Sequence, residues 1–175
     1  MPSDLAERIS TAPRRRYEGF AFRQQSPRHD PLSGEGARIM GGRFNPPESF
    51  PVLYLCTTRG CAVAEFRRFA SRHPIGAEGF LPRVLYEYDV AFASVLDLTD
   101  AQVLADFELE PEHLVDDDRA LTQQLGELAH QFGYQALLRE SATGVDAVLA
   151  VFTDNLRSGR LEPRIAERWE TLADL

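Results

Sequence analysis

A chain of 175 residues, 43% hydrophobic and 26% charged, is long enough to bury one substantial core and lies in the usual single-domain range. Its formal net charge of −8 makes it a poor candidate for non-specific nucleic-acid binding. No apolar run approaches the roughly 20 residues of a membrane helix, and Met1-Pro2-Ser3-Asp4-Leu5 lacks the apolar core of a signal peptide, so a cytoplasmic protein is expected. The charge is uneven: residues 1–83 hold 13 Arg against 8 acidic residues, whereas 84–175 hold 6 Arg against 19. There is no Lys, so every basic side chain is a planar fork suited to phosphate or carboxylate. Cys56 and Cys61 have no histidine near them, and His29, His73, His113 and His130 are scattered; both cysteines read as structural and no metal is expected.

The elements follow from periodicity and punctuation. Arg14-Arg15-Arg16 reads as a solvated basic turn, with contact to an acidic partner as the alternative. Tyr17 to Arg23 has strand character, and the Pro/Gly/Ser-rich stretch from Gln25 to Gly42 reads as a long loop, which a compact domain keeps only for a purpose. Val52 to Cys56 is a buried strand by its length and apolar run. From Thr58 to Arg72, Ala62, Val63, Phe66, Phe69 and Ala70 recur at helical spacing with Thr57 or Thr58 as N-cap. Glu65 falls at the edge of that stripe, with Arg67, Arg68 and Arg72 toward water.

Arg83 to Val90 and Ser94 to Leu98 read as strands, and Thr99 opens a short helix. The acidic segment from Asp106 to Asp118 is a solvated loop or a docking face for a basic partner. Asp116 to Phe132 is an amphipathic helix on Leu121, Leu125, Leu128 and Phe132; Gln135 to Leu138 and Ala147 to Phe152 are strands; Ile165 to Leu172, with Trp169, reads as a terminal helix. Strands bunched at both ends with helices between them indicate an α+β fold rather than a parallel α/β sheet.

The densest chemistry lies in Gly41-Gly42-Arg43-Phe44-Asn45-Pro46-Pro47, followed by Tyr54 on a strand and Glu65 on a helix. Glycines let a backbone approach an anion closely, and the adjacent arginine fork matches phosphate oxygens. A cation, a phenol and a carboxylate brought together here would form a pocket for a phosphorylated small molecule. Each also has a plain alternative: Arg43 as a loop brace, Glu65 as half of a surface ion pair, Tyr54 as core, Ser141 as a turn residue.

This stretch, with Tyr17-Glu18-Gly19-Phe20-Ala21-Phe22-Arg23, Gly34-Glu35-Gly36-Ala37-Arg38, Asp97-Leu98-Thr99-Asp100, Gly133-Tyr134-Gln135-Ala136, Arg139-Glu140-Ser141 and Ala147 to Phe152, resembles the RES family over residues 15 to 155. Two positions depart from the family pattern: Phe44 stands where tryptophan is usual, and Gln135 where aspartate is common. The resemblance implies a single RES domain over 1–175 with a C-terminal helical extension, and an ADP-ribosyltransferase-like fold of two small packed β-sheets flanked by helices.

It also implies the toxin of a toxin–antitoxin pair that depletes NAD by cleaving the nicotinamide–ribose bond, as glycohydrolase or phosphorylase; an ADP-ribosyltransferase acting on a protein or small-molecule acceptor is the alternative. NAD is then substrate, with inorganic phosphate a possible co-substrate and no metal. Glu65, Arg43 and Ser141 are the implied catalytic residues, and Arg23, Arg43, Tyr54 and Ser141 the implied NAD-binding residues. Glu140 is the carboxylate most easily mistaken for Glu65. The implied partner is an antitoxin with a helix-turn-helix (Xre-like) domain, which would contact DNA in place of this acidic chain. A catalytically dead binding module is disfavoured, since Glu65 and Arg43 are both present.

Overall fold

The computed structural model describes residues 2–175; Met1, with which the N-terminal reading begins, lies outside them. In chain order the elements are α1 (Pro2–Thr11), β1 (Arg15–Gln25), α2 (Glu35–Met40), β2 (Val52–Cys56), α3 (Arg59–Ser71), β3 (Arg83–Asp97), α4 (Ala101–Asp106), α5 (Ala120–Gln131), β4 (Ala136–Glu140), β5 (Ala147–Phe152) and β6 (Arg160–Trp169). The fold is mixed α+β. No helix among the described residues is long and apolar enough to cross a membrane.

Strand β3 organises the sheet. One edge pairs antiparallel with β1 from Val84 to Val95. The other edge pairs antiparallel with β6 over Arg83 to Ala91 and then parallel with β4 over Val95 to Asp97. From β4 the sheet continues antiparallel through β5 to β2, and β2 returns to β1 by the Phe22–Cys56 bridge. Two three-stranded halves, β6-β3-β1 and β4-β5-β2, are thus joined along both flanks. The expected pair of separate packed sheets is, by hydrogen bonding, one six-stranded sheet that closes through β1–β3.

The join depends on a bulge. Between the Tyr17–Phe92 and Arg15–Val95 pairs β3 carries one residue more than β1, so its backbone swings from one half to the other there. The freed amides of Ala93 and Ser94 donate to Gln135 Oε1 at 2.8 and 3.2 Å, while Gln135 Nε2 donates to the Ser158 carbonyl at 2.7 Å. An aspartate would accept from the bulge but have nothing to donate to Ser158. The gap read between Val90 and Ser94 is this bulge within one continuous strand.

Alternation along the strands sends residues to two cores. Ala21, Leu53, Leu55, Tyr88, Val90, Phe92, Ala136, Leu149 and Val151 pack together from both halves of the sheet. Their neighbours Val52, Leu137, Ala150 and Phe152 face the other way, against Ile9, Leu104, Leu125 and Ala129 of the helices. Burial on both faces is why β5 is apolar at every position.

Several segments differ from the reading above. The Gln25–Gly42 stretch contains α2, a six-residue helix without a buried residue, so no apolar stripe marks it. The amphipathic helix begins at Ala120 rather than Asp116. Ile165–Leu172 is not a helix: β6 runs to Trp169, and only Leu172–Asp174 makes a 3₁₀ turn. Trp169 is fully buried with Nε1 donating to Glu167 at 2.8 Å, and Arg59 clamps the same carboxylate at 2.6 and 2.9 Å, tying the strand to α3.

Candidate functional site

Helix α3 starts where Thr58 accepts the Cys61 amide at 3.1 Å, and its buried face is Cys61, Ala62, Phe66 and Ala70. Glu65 lies one step off that face. Ala62, Glu65 and Phe69, three and four residues apart, line a cleft of about 470 Å³ between α3, the Gly41–Arg43 turn and the ends of β1 and β2. Its wall includes Arg23, Arg43, Tyr54, Cys56, Arg119 and Arg139, with Gly36 and Ala37 of α2 at the rim.

Glu65 is held from the far side. Ser141 Oγ donates to Glu65 Oε1 at 2.8 Å. Its single proton is committed there, so Thr143 Oγ1, 2.7 Å away, is the donor to Ser141, and the Thr143 amide donates to the same oxygen at 3.1 Å. A hydroxyl relay from Thr143 through Ser141 thereby orients the carboxylate, and no bond to Oε2 occurs among the described residues. Ser141 is buried, whereas its neighbour Glu140 is exposed and borders a different hollow with Thr57, Thr99 and Asp146. Strand alternation separates the two carboxylates: Arg139 points into the cleft and Glu140 away from it.

Tyr54 fixes the glycine turn. Its hydroxyl accepts the Phe44 amide at 2.9 Å and donates to Asn45 Oδ1 at 2.8 Å. Burial raises its pKa to about 12, so the phenol stays protonated and able to donate. A methyl at Gly42 would lie 2.5 Å from that hydroxyl, and one at Gly126 1.7 Å from the Phe44 carbonyl, so the turn is pressed between Tyr54 and α5. Gln123 of α5 completes the clamp, donating to the Gly42 carbonyl at 3.0 Å. Phe44, fully buried, turns its ring to the core and not to the cleft.

The cleft's charge is one-sided. Arg23 donates to the Tyr54 carbonyl at 3.1 Å and to Gln25 Oε1 at 3.2 Å, and has no carboxylate partner among the described residues. Arg139 is buried, with Nη1 donating to the Glu140 carbonyl at 2.7 Å and a buried Nε that has no partner among the described residues. Arg43 spends one N–H on the Asp116 carbonyl at 2.6 Å. Burial lowers the pKa of all three, most directly opposing charge, and in Arg43 the neighbouring Arg139, Arg119 and Arg68 add to it. They remain cationic, since guanidinium does not give up its proton in proteins. Among the described residues Glu65 is the one carboxylate lining the cleft.

All five site residues read from the sequence are therefore at this cleft: four line it, and Ser141 holds Glu65. Arg119, Arg139 and Thr143 carry no signal of such a role in the sequence; Arg139 belongs to the Arg139-Glu140-Ser141 motif, but its inward direction depends on the register of β4. Arg68 and Arg72, read as facing water, border a side lobe of the cleft. The basic run Arg14–Arg16 is occupied internally, by Ser94 and Phe132, Asp100, and Glu18 respectively. Part of the acidic segment likewise meets the chain's own arginines, Glu108 with Arg8 at 2.8 Å and Asp117 with Arg72 at 3.8 Å. Cys56 and Cys61 are buried thiols, and no group of three or more His, Cys, Asp or Glu suited to a metal occurs among the described residues.

The RES domain family pattern matches residues 12–174. The NAD(+) phosphorylase MbcT of Mycobacterium tuberculosis H37Rv is 33% identical over 162 residues, 91% of this chain and 87% of that protein. A probable NAD(+) phosphorylase of the same organism, Rv3189, is 30% identical over 165 residues, 93% of this chain and 77% of its own. A chain in the crystal structure of the M. tuberculosis MbcT–MbcA toxin–antitoxin complex superposes with a TM-score of 0.81 at 30% identity, covering 95% of this chain and 92% of that one.

Proposed function

This chain belongs to the RES domain family, and we propose that its cleft binds NAD, breaks the bond between nicotinamide and ribose, and passes the ADP-ribosyl group to inorganic phosphate. The observation that carries this reading is a single oriented carboxylate, Glu65 held by Ser141, in a cleft whose other charged side chains are arginines.

Cleavage of that bond returns its electron pair to the pyridine nitrogen, so nicotinamide leaves neutral and needs no strong acid. Positive charge develops on the ribose, and a carboxylate beside it stabilises that charge and orients the incoming nucleophile, as carboxylates do in glycoside hydrolysis. Glu65 takes this role and Ser141 is its positioning residue. Arg23 and Arg43 bind the diphosphate by charge-assisted bonds, and the ring of Tyr54 forms a wall for the nicotinamide. The names of the relatives, NAD(+) phosphorylases, support phosphate over water as acceptor.

The same reading makes the chain one RES domain of ADP-ribosyltransferase-like fold, the two halves of its sheet flanking the cleft. It acts in the cytoplasm as a toxin that drains NAD. An antitoxin with a helix-turn-helix, Xre-like domain restrains it, a reading supported by the toxin–antitoxin complex in which a relative is found.

Nicotinamide release by purified Glu65→Gln and Glu140→Gln variants tests the assignment. Glu65→Gln is expected to lose roughly 10²–10⁴-fold in rate with its unfolding temperature kept, and Glu140→Gln to retain full rate. Equal loss in both variants, or loss only in Glu140→Gln, overturns it.

A further inference from the structure

The cleft has a side lobe of about 190 Å³, bordered by Arg43, Glu65, Arg68, Arg72, Arg119 and Arg139 with Phe69 and Ala142. Helix α3 serves both spaces: Ala62, Glu65 and Phe69 face the main cleft, and Glu65, Arg68 and Arg72, spaced three and four apart, face the lobe. Glu65 stands where they meet. Five arginines against one carboxylate is a strong excess of positive charge in so small a space, and the acids near its rim do little to offset it. Arg72 meets Asp117 only at 3.8 Å with both side chains exposed, and Arg68 pairs with no acid among the described residues, its Nη1 donating to the Ala142 carbonyl at 3.5 Å.

Arg139 is the strongest indication of a ligand. It is buried, Glu65 is the largest favourable charge acting on it, and its Nε points an N–H to no protein acceptor. A buried donor left without a partner costs about 1–3 kcal/mol, a cost that an anion in the lobe would remove. The Phe44 ring, 5.9 Å from the guanidinium, and the Glu140 carbonyl fix its plane in advance.

We propose that this arginine lobe is the subsite for the phosphate nucleophile, with Arg68, Arg119 and Arg139 holding its oxygens beside Glu65 while NAD occupies the main cleft. The proposal rests on the NAD-cleaving reading and specifies how phosphate prevails over water there. One phosphate oxygen forms a bond to the ribose anomeric carbon as the carbon–nitrogen bond breaks; the electron pair goes to nicotinamide, and the phosphate proton stays on a phosphate oxygen of the product. Arginine forks fix a tetrahedral oxyanion at several oxygens at once, whereas water offers them nothing to grip. Two adjacent lobes meeting at one carboxylate bring both reactants to it together, which replaces a collision by a positioned encounter.

Calorimetric titration of inorganic phosphate into the protein without NAD tests the subsite independently of turnover, and steady-state kinetics with both reactants varied tests its role. Arg68→Ala and the Arg68→Ala/Arg72→Ala pair alter half-buried or exposed side chains of a capped helix and are expected to fold. Wild type should bind phosphate, and the variants at least about tenfold more weakly, since each loses charge-assisted contacts. Their KM for phosphate should rise by about the same factor, with KM for NAD changed by no more than about threefold. Absence of phosphate binding, equal binding by the variants, or parallel rises in both KM values would overturn the proposal; the last would make the arginines ligands of the dinucleotide. Absence of nicotinamide release from wild type would instead count against the NAD reading, and the titration would still decide whether the lobe binds phosphate.

Discussion

Replacing Ser141 with alanine removes one proton donor from Glu65 and nothing from the cleft wall. The lost bond is a hydroxyl-to-carboxylate contact of 2.8 Å at a buried serine, the class of hydrogen bond worth about 1.5–3 kcal/mol. If that energy orients Glu65 only where ribose charge develops, it appears in the rate, at about 1.4 kcal/mol per factor of ten, so kcat should fall about 10- to 150-fold. KM for NAD should barely change, because Glu65 and not Ser141 faces the substrate. A double-mutant cycle with Glu65→Gln separates positioning from general damage: in that background Ser141→Ala should cost less than about threefold, since the group it serves has already been disabled. Ser141→Thr, which keeps the hydroxyl, should recover part of the rate. Additive losses in the cycle, or an unchanged rate in Ser141→Ala, would refute the positioning argument.

Three further predictions concern the glycine turn and the buried tyrosines. Tyr54→Phe strands the Phe44 amide and Asn45 Oδ1, which should cost about 1–3 kcal/mol, lower the unfolding temperature by several degrees and raise KM for NAD as Arg43 loses its setting. Gly42→Ala places a methyl 2.5 Å from the Tyr54 hydroxyl and should cost a similar amount; in the Tyr54→Phe background the penalty should shrink, which thermal unfolding of the double variant measures. Burial raises Tyr54 and Tyr88 to about 12, so the native protein keeps these protons after the unfolded chain has lost them near pH 10. That stability is whole below pH 10 and disappears as pH rises through 12, by about 2–3 kcal/mol per tyrosine. Alkaline unfolding combined with ultraviolet titration checks it: these two phenols should ionise last and together with loss of structure.

The cleft was legible because its residues sit on elements with strong local signals. Val52–Cys56 is a short apolar run and Arg59–Ser71 a capped amphipathic helix, so spacing sets Tyr54 and Glu65 on their elements, while the resemblance to the RES family is what marks them as site residues. Gly41 and Gly42 marked a turn, and the steric limits at Gly42 give that marking its cause. What spacing does not carry is which residues reach the cleft from afar. Arg119 precedes α5 at its N-cap position, more than fifty positions from Glu65, and Arg139 faces inward only because β4 pairs with β5 in one of two possible registers.

The misread elements failed for related reasons. Ile165 and Trp169 are four residues apart, a helical interval, yet this edge strand leaves most side chains in water and buries only Trp169 fully, so alternation was faint. Helix α2 buries none of its residues and had no stripe to find. The Arg14–Arg16 run, read as a solvated basic turn, is exposed but also held internally, because its acceptors Ser94, Phe132 and Asp100 are distant in sequence and adjacent only in the fold.

The most direct test of the central claim is mass spectrometry of the products when the purified chain is incubated with NAD, with and without inorganic phosphate, beside Glu65→Gln. The account predicts nicotinamide together with a phosphate ester of ADP-ribose, formed only when phosphate is present and nearly absent from the variant. Intact NAD in every sample, or nicotinamide release that continues undiminished without Glu65, would contradict it.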